Sequence, residues 1–445
     1  MKLRSARWRP LPQWLIPMVY TVVSVIASLV LPRLEEAYLS RYMHAVSANA
    51  AIAFFSAVSS GMMALTGIVF AIAFVVVQFS ALAYSPRLVL LFNRDPTTFH
   101  ALGVFFATFT YSLAALAWTD RHGSGKVPVF SSILVLVLLV ISMLMFARMI
   151  QSLNALQIHN VLRSIGRRGR AVIREMFVQL PEYTGSAAAT SNVVPSDFGP
   201  PVQTLVYDDE PMVIAKFEIA ALVKLAEKSD ALLVLECGVG ETLVEGTTLL
   251  KVYRARQPLD ERRLMRCIRL ATARTYEQDP KYAIRLMVDI AIRALSPAVN
   301  DPTTAVQALD QIEDMLRRLG RRELDAGQVA DARGVPRLIF PVPTWEDYLA
   351  VSFDEIRLYG VTSVQLVRRL RSVLVGLAEA VNAERREAVL RYIEHLNLGL
   401  DRTNFDAQDK ASALEEDRQG LGLSRKRAPG KPAAAVPQRI EALAK

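Results

Sequence analysis

The sequence is poor in the side chains that hold metal ions or form disulfides. Only two cysteines, Cys237 and Cys267, and five histidines occur among 445 residues. They show no CxxC or HExxH spacing, so we predict no metal site and expect both cysteines to be buried thiols. A nucleophile elbow, a phosphate-binding loop and a clear carboxylate pair are also missing. We therefore predict no catalytic residue, no cofactor and no enzymatic activity.

Charge is missing from four long stretches in the first third of the chain. About 20 apolar residues in a helix cross the hydrocarbon core of a membrane. The segment that ends at Pro32 lacks a small-residue cleavage site and is predicted to be a signal anchor. We predict a transmembrane domain over residues 1–150 with four helices, which span Trp14–Leu31, Ala51–Ala83, Phe99–Trp118 and Val129–Ile150.

The positive charges at the two ends of this region predict its orientation. Arginine and lysine are frequent before residue 10 and again from Arg148 onward, and they are sparse or offset by acids in the loops between. Basic flanks face the cytoplasm. We therefore expect a multi-pass protein of the plasma (inner) membrane with both termini in the cytoplasm. The net charge of +9 is also compatible with nucleic acid, but no recognition motif supports that partner.

The second hydrophobic segment has a face of small and weakly polar residues. Ser56, Ser60, Gly67 and Gln78 lie on one side of a helix that turns about 100° per residue, and large apolar side chains cover the opposite side. Small residues let helices approach closely in lipid. This face is a candidate for packing against neighbouring helices of the chain, for a seam in a homo-oligomer, or for the lining of a pore.

After the membrane region we predict a cytoplasmic α+β domain. A basic helix over residues 151–180 follows the fourth span, and its arginines are expected to contact anionic lipid headgroups. Residues 181–201 are rich in Pro, Gly, Ser and Ala, which predicts a linker. Beyond the linker we predict a small α+β unit over 202–256, an α-helical bundle over 257–400 and a disordered basic tail over 401–445.

The small unit is predicted to contain three strands and one helix. The strands are expected at residues 212–217, 231–237 and 249–253, and the helix at 219–228. The glycine-rich stretch between the second and third strands resembles half of a biotinyl/lipoyl-like barrel. The attachment lysine of those carriers is not evident, so we expect no swinging-arm role.

Two Asp-Pro pairs predict the starts of consecutive helices in the bundle. Asp279-Pro280 and Asp301-Pro302 each combine an N-cap carboxylate with a proline suited to the first helical turn. Capping alone explains both pairs. The alternative is an anion-binding corner, where a helix N-terminus meets nearby arginines. Its candidate residues are Arg285, Arg293, Asn300, Asp301, Thr303 and Thr304.

Several segments resemble the bacterial predicted membrane proteins grouped as the domain of unknown function 2254 family. The resemblance runs over nearly the whole chain and is most specific in the stretch from Ser296 to Pro302. It implies a membrane topology and the domain plan above, and it implies no activity. The matching stretches are Ser60–Phe70, Ser85–Arg87, Glu277–Pro280, Ala294–Pro302 and Phe353–Arg357.

Two functions are consistent with these features. The first is a membrane-anchored scaffold or sensor whose cytoplasmic domain binds a ligand or partner. The second is an oligomeric channel or transport-type protein in which helix 51–83 lines the path. Arg148 lies at the cytoplasmic edge of the fourth predicted span, and no charged residue is predicted at bilayer depth, which argues against a proton relay or an ion-coupled pump. Four crossings are few for a pore, so a channel would require a homo-oligomer.

Overall fold

The fold was taken from a computed structural model, which describes residues 12, 14–39, 47–83, 96–122, 127–154, 157–180, 199–325 and 327–422. The chain forms two compact units, Met1–Gln157 and Ile158–Lys445. The basic N-terminal arm, the Ser85–Arg87 segment, most of the predicted linker and the end of the basic tail lie outside the described residues.

The N-terminal unit consists of long apolar helices, as the sequence predicted. Each contains a stretch that is long and apolar enough to cross a membrane. Helix α3 contacts the other three and contributes Phe105 and Tyr111 to the buried core. The four helices are α1 (Leu15–Leu39), α2 (Ala48–Ala83), α3 (Pro96–His122) and α4 (Val129–Asn154).

Helix α1 continues through Pro32, where the sequence predicted its end. It runs to Leu39 and carries Glu35 into a buried position that is only 4% exposed. A membrane helix tolerates proline because neighbouring helices and hydroxyl groups satisfy the freed backbone groups. Glu35 lies inside the candidate span Leu15–Tyr38. The candidate span therefore extends past the predicted one, which ended at Leu31, and includes Glu35 near its end.

The C-terminal unit begins with α5 (Ile158–Met176) and contains two open sheets. Strands β3 and β8 run parallel, with Leu233 opposite Leu338, and the other neighbouring strands are antiparallel. The five-stranded sheet has the order β1 (Gln203–Val206), β5 (Thr248–Tyr253), β3 (Leu232–Leu235), β8 (Pro336–Ile339) and β7 (Gln328–Ala330). The three-stranded sheet has the order β4 (Thr242–Leu243), β2 (Met212–Phe217) and β6 (Ile268–Ala271).

These sheets correct the predicted α+β unit. The described strands form no closed barrel, so the likeness to half of a biotinyl/lipoyl-like barrel does not extend to the fold. Both sheets also draw strands from beyond residue 256, in the stretch predicted to be wholly helical. Leu233, Leu250 and Leu338 from three strands share one apolar core. The predicted boundary at 256 therefore runs through a continuous core.

Helix α6 and the starts of α8 and α9 lie where the sequence predicted them, and the basic helix predicted over residues 151–180 is shorter, at Ile158–Met176. Helix α8 packs against α5, α9 and α10, and α11 packs against α9, α12 and α13. The tail predicted to be disordered from residue 401 is folded to residue 422, where the description ends. The helices are α6 (Ile219–Lys228), α7 (Glu261–Arg266), α8 (Pro280–Ala294), α9 (Pro302–Leu319), α10 (Trp345–Gly360), α11 (Val364–Ala380), α12 (Ala383–Asp401) and α13 (Ala407–Ala413).

Candidate functional site

The hinge between α8 and α9 is closed by the Asp301 carboxylate. Its Oδ1 accepts a hydrogen bond from the Thr304 amide at 3.1 Å, and its Oδ2 accepts one from the Thr304 hydroxyl at 2.6 Å. Asn300 has a φ of +48°, and the Asp301 amide donates to the Ala294 carbonyl at 2.7 Å. An external anion at the start of α9 would bind free backbone amides there. The Asp301 carboxylate already occupies one of them, the Thr304 amide.

The structure separates Arg285 from the other residues of the predicted anion-binding corner. Arg285 lies two turns before Arg293 on α8, which separates their Cα atoms by about 12 Å along the helix axis. The Arg285 guanidinium is ion-paired instead with Glu355 of α10 at 2.9 Å and with Asp289 at 2.7 Å. Its hydrogen bond to Glu355 raises the pKa of Arg285. The other predicted residues are Arg293 in the last turn of α8, Asn300 and Asp301 in the hinge, and Thr303 and Thr304 in the first turn of α9.

The other Asp-Pro pair places a buried carboxylate against a glycine turn. Asp279 accepts a hydrogen bond from the Tyr282 amide at 2.9 Å and is 6% exposed. Gly240 has a φ of +87°, and a Cβ at this position would lie 2.6 Å from Asp279 Oδ2, so a side chain there would be both strained and obstructed. Burial raises the pKa of Asp279, and the Tyr282 amide and Arg274 oppose this shift. No local pattern in the sequence indicates that this turn and this helix start touch.

Arg371 of α11 is the largest fully buried side chain among the described residues, and sequence reasoning did not single it out. It is 1% exposed, and its Nη2 donates to Asn397 Oδ1 of α12 at 2.6 Å. Burial lowers the pKa of Arg371 to about 10, and the Glu416 carboxylate opposes this change. An arginine is seldom fully buried unless it is paired. The apolar residues around Arg371 in the sequence were the only available signal.

The basic helix α5 has an apolar side that packs within the C-terminal unit. A Cβ on Gly169 would lie 2.5 Å from Met315 Cε of α9, so the two helices approach closely there. Arg170 forms an ion pair with Asp314 at 3.1 Å. The buried side consists of Val161, Leu162, Ile165, Gly166, Gly169 and Ile173. The exposed basic residues are Arg163, Arg167, Arg168 and Arg174.

The small-residue face of α2 is exposed. No described atom lies within 4 Å of the place where a Cβ on Gly67 would stand. The helix is continuous over 36 residues, so the face is not interrupted by a break. The face therefore does not pack against the described residues of the chain, and its use as a seam or a pore lining stays a prediction. Its residues are Ser56, Ser60, Gly67 and Gln78, and the buried residues on the opposite side include Phe55, Val58, Met62 and Val69.

The cysteines occupy the positions that the sequence predicted for them. Cys237 and Cys267 are buried free thiols, and burial raises the pKa of each. Their Sγ atoms donate to the carbonyls of Thr248 and Arg263. Buried thiols of raised pKa are unreactive. Among the residues that the structure describes, no group of three or more His, Cys, Asp or Glu side chains could hold a metal ion.

Four long apolar helices followed by a mixed helix and strand unit define a membrane protein. Residues 12–375 match the family described as "Predicted membrane protein (DUF2254)", and the chain belongs to that family. Uncharacterized proteins of Mycobacterium tuberculosis, strain H37Rv, and of Mycobacterium bovis are each 28% identical to it over 376 residues, which cover 80% of this chain and 69% of theirs. No solved structure matches the chain. The family resemblance seen in the sequence is confirmed.

Proposed function

We propose that the protein is a membrane-anchored sensor or scaffold of the bacterial inner membrane, and that its C-terminal unit binds a ligand or partner on the cytoplasmic side. In this proposal it acts by binding and not by catalysis. The observation that supports it is the dual character of α5. This helix presents exposed arginines and also forms part of the core of the C-terminal unit.

Helix α5 is firmly joined to α8 and α9. The close approach at Gly169 leaves little free space between α5 and α9. Phe177, which follows the helix, is 2% exposed, and its carbonyl accepts a hydrogen bond from Arg322 at 2.6 Å. Packed interiors transmit strain because they have few voids. A displacement of α5 would therefore move α8 and α9, which meet at the hinge closed by Asp301.

The exposed arginines of α5 are suited to anionic headgroups. Arg163, Arg167 and Arg174 have no ion-pair partner within the described residues. Only residues 155–157 separate the end of α4 from the start of α5. Each Lys or Arg near an anionic membrane surface contributes about 1 kcal/mol of attraction. Three such residues would contribute roughly 3 kcal/mol, enough for docking that depends on the lipid composition.

The experiment uses the full-length protein in nanodiscs with and without anionic lipid. Hydrogen–deuterium exchange is measured for α5 and for the hinge at residues 295–301. We expect anionic lipid to slow exchange in α5 and to change exchange at the hinge.

The variant that removes the exposed charge carries Arg163→Gln, Arg167→Gln and Arg174→Gln. The matched control carries Arg256→Gln, Arg262→Gln and Arg333→Gln, at exposed positions on other elements. Equal exchange in both lipids would reject the sensor proposal.

A second candidate is an oligomeric channel or transport-type protein, and the exposure of the α2 face favours it. Lipid tails are as apolar as leucine, so small residues that meet no neighbour in one copy offer a close contact to another copy. The face lies opposite the buried residues Phe55 and Val69 and so points away from the rest of its own unit. A ring of copies could place this face at a seam or at a lumen.

The mass of the protein in detergent, measured by light scattering, tests this candidate. A monomer would reject it, and a closed ring would support it. Ser60→Cys in a background without the native cysteines should then form a disulfide between copies. Val58→Cys is the control, because Val58 is buried within its own unit. Gln78→Leu should alter ion flux in liposomes if the face lines a path, and should leave flux unchanged if the face forms only a seam.

A further inference from the structure

The last described segment, residues 414–422, is an acidic turn that folds around Asp417. The Asp417 side chain is 1% exposed. Its Oδ1 accepts hydrogen bonds from the amides of Gln419 and Gly420, each at 3.0 Å, and its Oδ2 accepts one from the Gly422 amide at 2.6 Å. Aspartate side chains that bond the following backbone amides stabilise turns locally. A short peptide of this sequence therefore carries the group that determines its shape.

The acidic turn lies along polar side chains of α11. Gln365 Nε2 donates to the Gly420 carbonyl at 2.6 Å. Arg368 Nη2 donates to a carboxylate oxygen of Glu415 at 3.4 Å, and the carbonyl of Arg368 accepts from the Asp417 amide at 3.3 Å. Helix α11 thus offers an amide, a guanidinium and a carbonyl to a single acidic segment.

Helix α9 forms the other wall of the same groove. A Cβ on Gly420, whose φ is +67°, would lie 2.5 Å from Val306 Cγ1. The Gln365 amide that holds Gly420 is also 3.5 Å from Thr303 Oγ1. The acidic turn therefore lies between α11 and the first turns of α9. Its position is next to the hinge that Asp301 closes.

Two guanidinium groups of α11 near the acidic turn have unused hydrogen-bonding capacity. The Nε atoms of Arg368 and Arg371 are buried and have no hydrogen-bond partner within the described residues. The charge of Glu416 acts on Arg371, and Asn397 accepts from its Nη2. A buried donor without an acceptor costs about 1–3 kcal/mol. The acidic turn therefore covers these arginines without satisfying them fully.

The acidic turn is held mainly by polar contacts. Its two large apolar side chains, Leu414 and Leu421, are 44% and 72% exposed. The Arg368–Glu415 ion pair is 3.4 Å long, and its Glu415 side chain is 32% exposed, so this pair contributes little and weakens with salt. A second segment with the same charges and the same turn would make the same contacts and could therefore replace this one.

We propose that the groove between α9 and α11 is a docking surface for an acidic peptide segment of a partner protein, and that residues 414–422 are its resident occupant. The partner segment would carry clustered carboxylates followed by an Asp-x-x-Gly turn, as Glu415, Glu416, Asp417 and Gly420 do here. Charge complementarity with Arg368 and Arg371 supports this partner. The inference rests on the proposed function, to which it adds the surface that binds the partner.

The test measures binding of a fluorescent peptide of residues 414–422 to the protein in detergent. The full-length chain is compared with a variant that ends at Ala413. We expect the shortened variant to bind the peptide at least about tenfold more tightly, because the resident segment no longer competes; a tenfold change is about 1.4 kcal/mol. Binding should weaken with added salt. A peptide with Asp417→Asn should bind more weakly, because one carboxylate oxygen that accepts backbone amides becomes a donor group.

A full-length variant makes the test independent of the shortening. Glu415→Gln and Glu416→Gln together should loosen the resident segment and strengthen peptide binding. The matched control carries Glu384→Gln and Glu387→Gln, two exposed acids of α12. Thermal melting shows whether each variant is folded. If the folded Glu415/Glu416 variant binds the peptide no better than its control does, the docking surface is refuted.

The two proposals fail separately. Exchange in α5 is measured without peptide, so a lipid response without peptide binding would leave the sensor proposal standing and remove this surface. Peptide binding without a lipid response would keep the surface and remove the coupling to the membrane. Arg368→Gln in the shortened variant should lower peptide affinity, and an unchanged affinity would count against the groove as the site.

Discussion

The carboxylate of Glu35 in α1 accepts a hydrogen bond from the backbone amide of Phe130 in α4 at 2.8 Å. It also accepts from the Ser131 amide at 3.3 Å, and Tyr111 of α3 donates its hydroxyl to Ser131 Oγ at 3.1 Å. A negative side chain at a helix N-terminus is favourable because the first amides have no partner in the helix. One ionisable group thus joins three helices of the N-terminal unit.

Removal of this cap is expected to destabilise the N-terminal unit. Glu35→Ala leaves the Phe130 and Ser131 amides without an acceptor and should lower the free energy of unfolding by about 1–3 kcal/mol. Glu35→Gln keeps one acceptor oxygen and should cost less. Unfolding of the purified protein in mixed micelles with increasing SDS measures both. Equal stability of the alanine variant and the wild type would show that the cap contributes nothing.

Substitution of Gly169 should separate α5 from α9. Gly169→Leu places a side chain where Met315 lies 2.5 Å from the Cβ position, and overpacking of this kind costs about 1–3 kcal/mol. Gly166→Ala is the control, because it meets the flexible amide of Gln311 and should cost less. Thermal unfolding measures both costs. A milder effect of Gly169→Leu than of Gly166→Ala would contradict the packing described here.

Asp279 should make stability depend on pH in the opposite sense to a paired carboxylate. Burial raises its pKa in the folded state, so the folded protein holds this proton more strongly. Its contribution is fully present below the unfolded value of about 3.9 and is lost as the pH rises through the folded pKa. Asp279→Asn keeps a capping oxygen and removes this titration. Urea unfolding across this pH range should show a smaller decline for the variant; identical pH profiles would refute the assignment.

The ion pair between Arg285 and Glu355 should couple α8 to α10 only weakly. The two side chains are 27% and 40% exposed, and such pairs contribute about 0.2–1 kcal/mol. A double-mutant cycle with Arg285→Met and Glu355→Gln measures the coupling through urea unfolding. We expect it to fall as salt is added. A coupling near zero at low salt would mean that the pair does not form in solution.

Local chemistry made much of the secondary structure predictable. Helix α6 was expected at residues 219–228 and is found there, and both Asp-Pro pairs start helices within one residue of the expected position. A cap and a proline act over one turn, so a sequence window contains all the information they need. Strands β7 and β8 have three and four residues and were missed. Their pairing depends on distant partners that no local pattern reports.

The candidate site was harder to predict because its contacts join distant parts of the chain. Arg285 was predicted to belong to an anion-binding corner, but Glu355, which engages it, lies on another helix. The helical repeat of the sequence distinguishes two faces of α2. It does not indicate which face turns toward the other helices, because both faces are apolar enough to contact lipid. Arg371 is buried by contacts with α12 and with the acidic turn. The acidic turn had been predicted to belong to a disordered tail, so the burial of Arg371 could not be foreseen.

The parallel pairing of β3 with β8 has a consequence for synthesis of the protein. Leu233 and Leu338 are opposite each other but 105 residues apart in the chain. A ribosome that adds about 5–20 residues per second would release β3 roughly 5–20 s before its partner strand. During that interval the edge of β3 that later pairs with β8 has no neighbouring strand. The four residues of β3 are all apolar. Unpaired apolar strands of this kind recruit other chains. A nascent chain of this protein therefore has a defined period in which chaperones would be most needed.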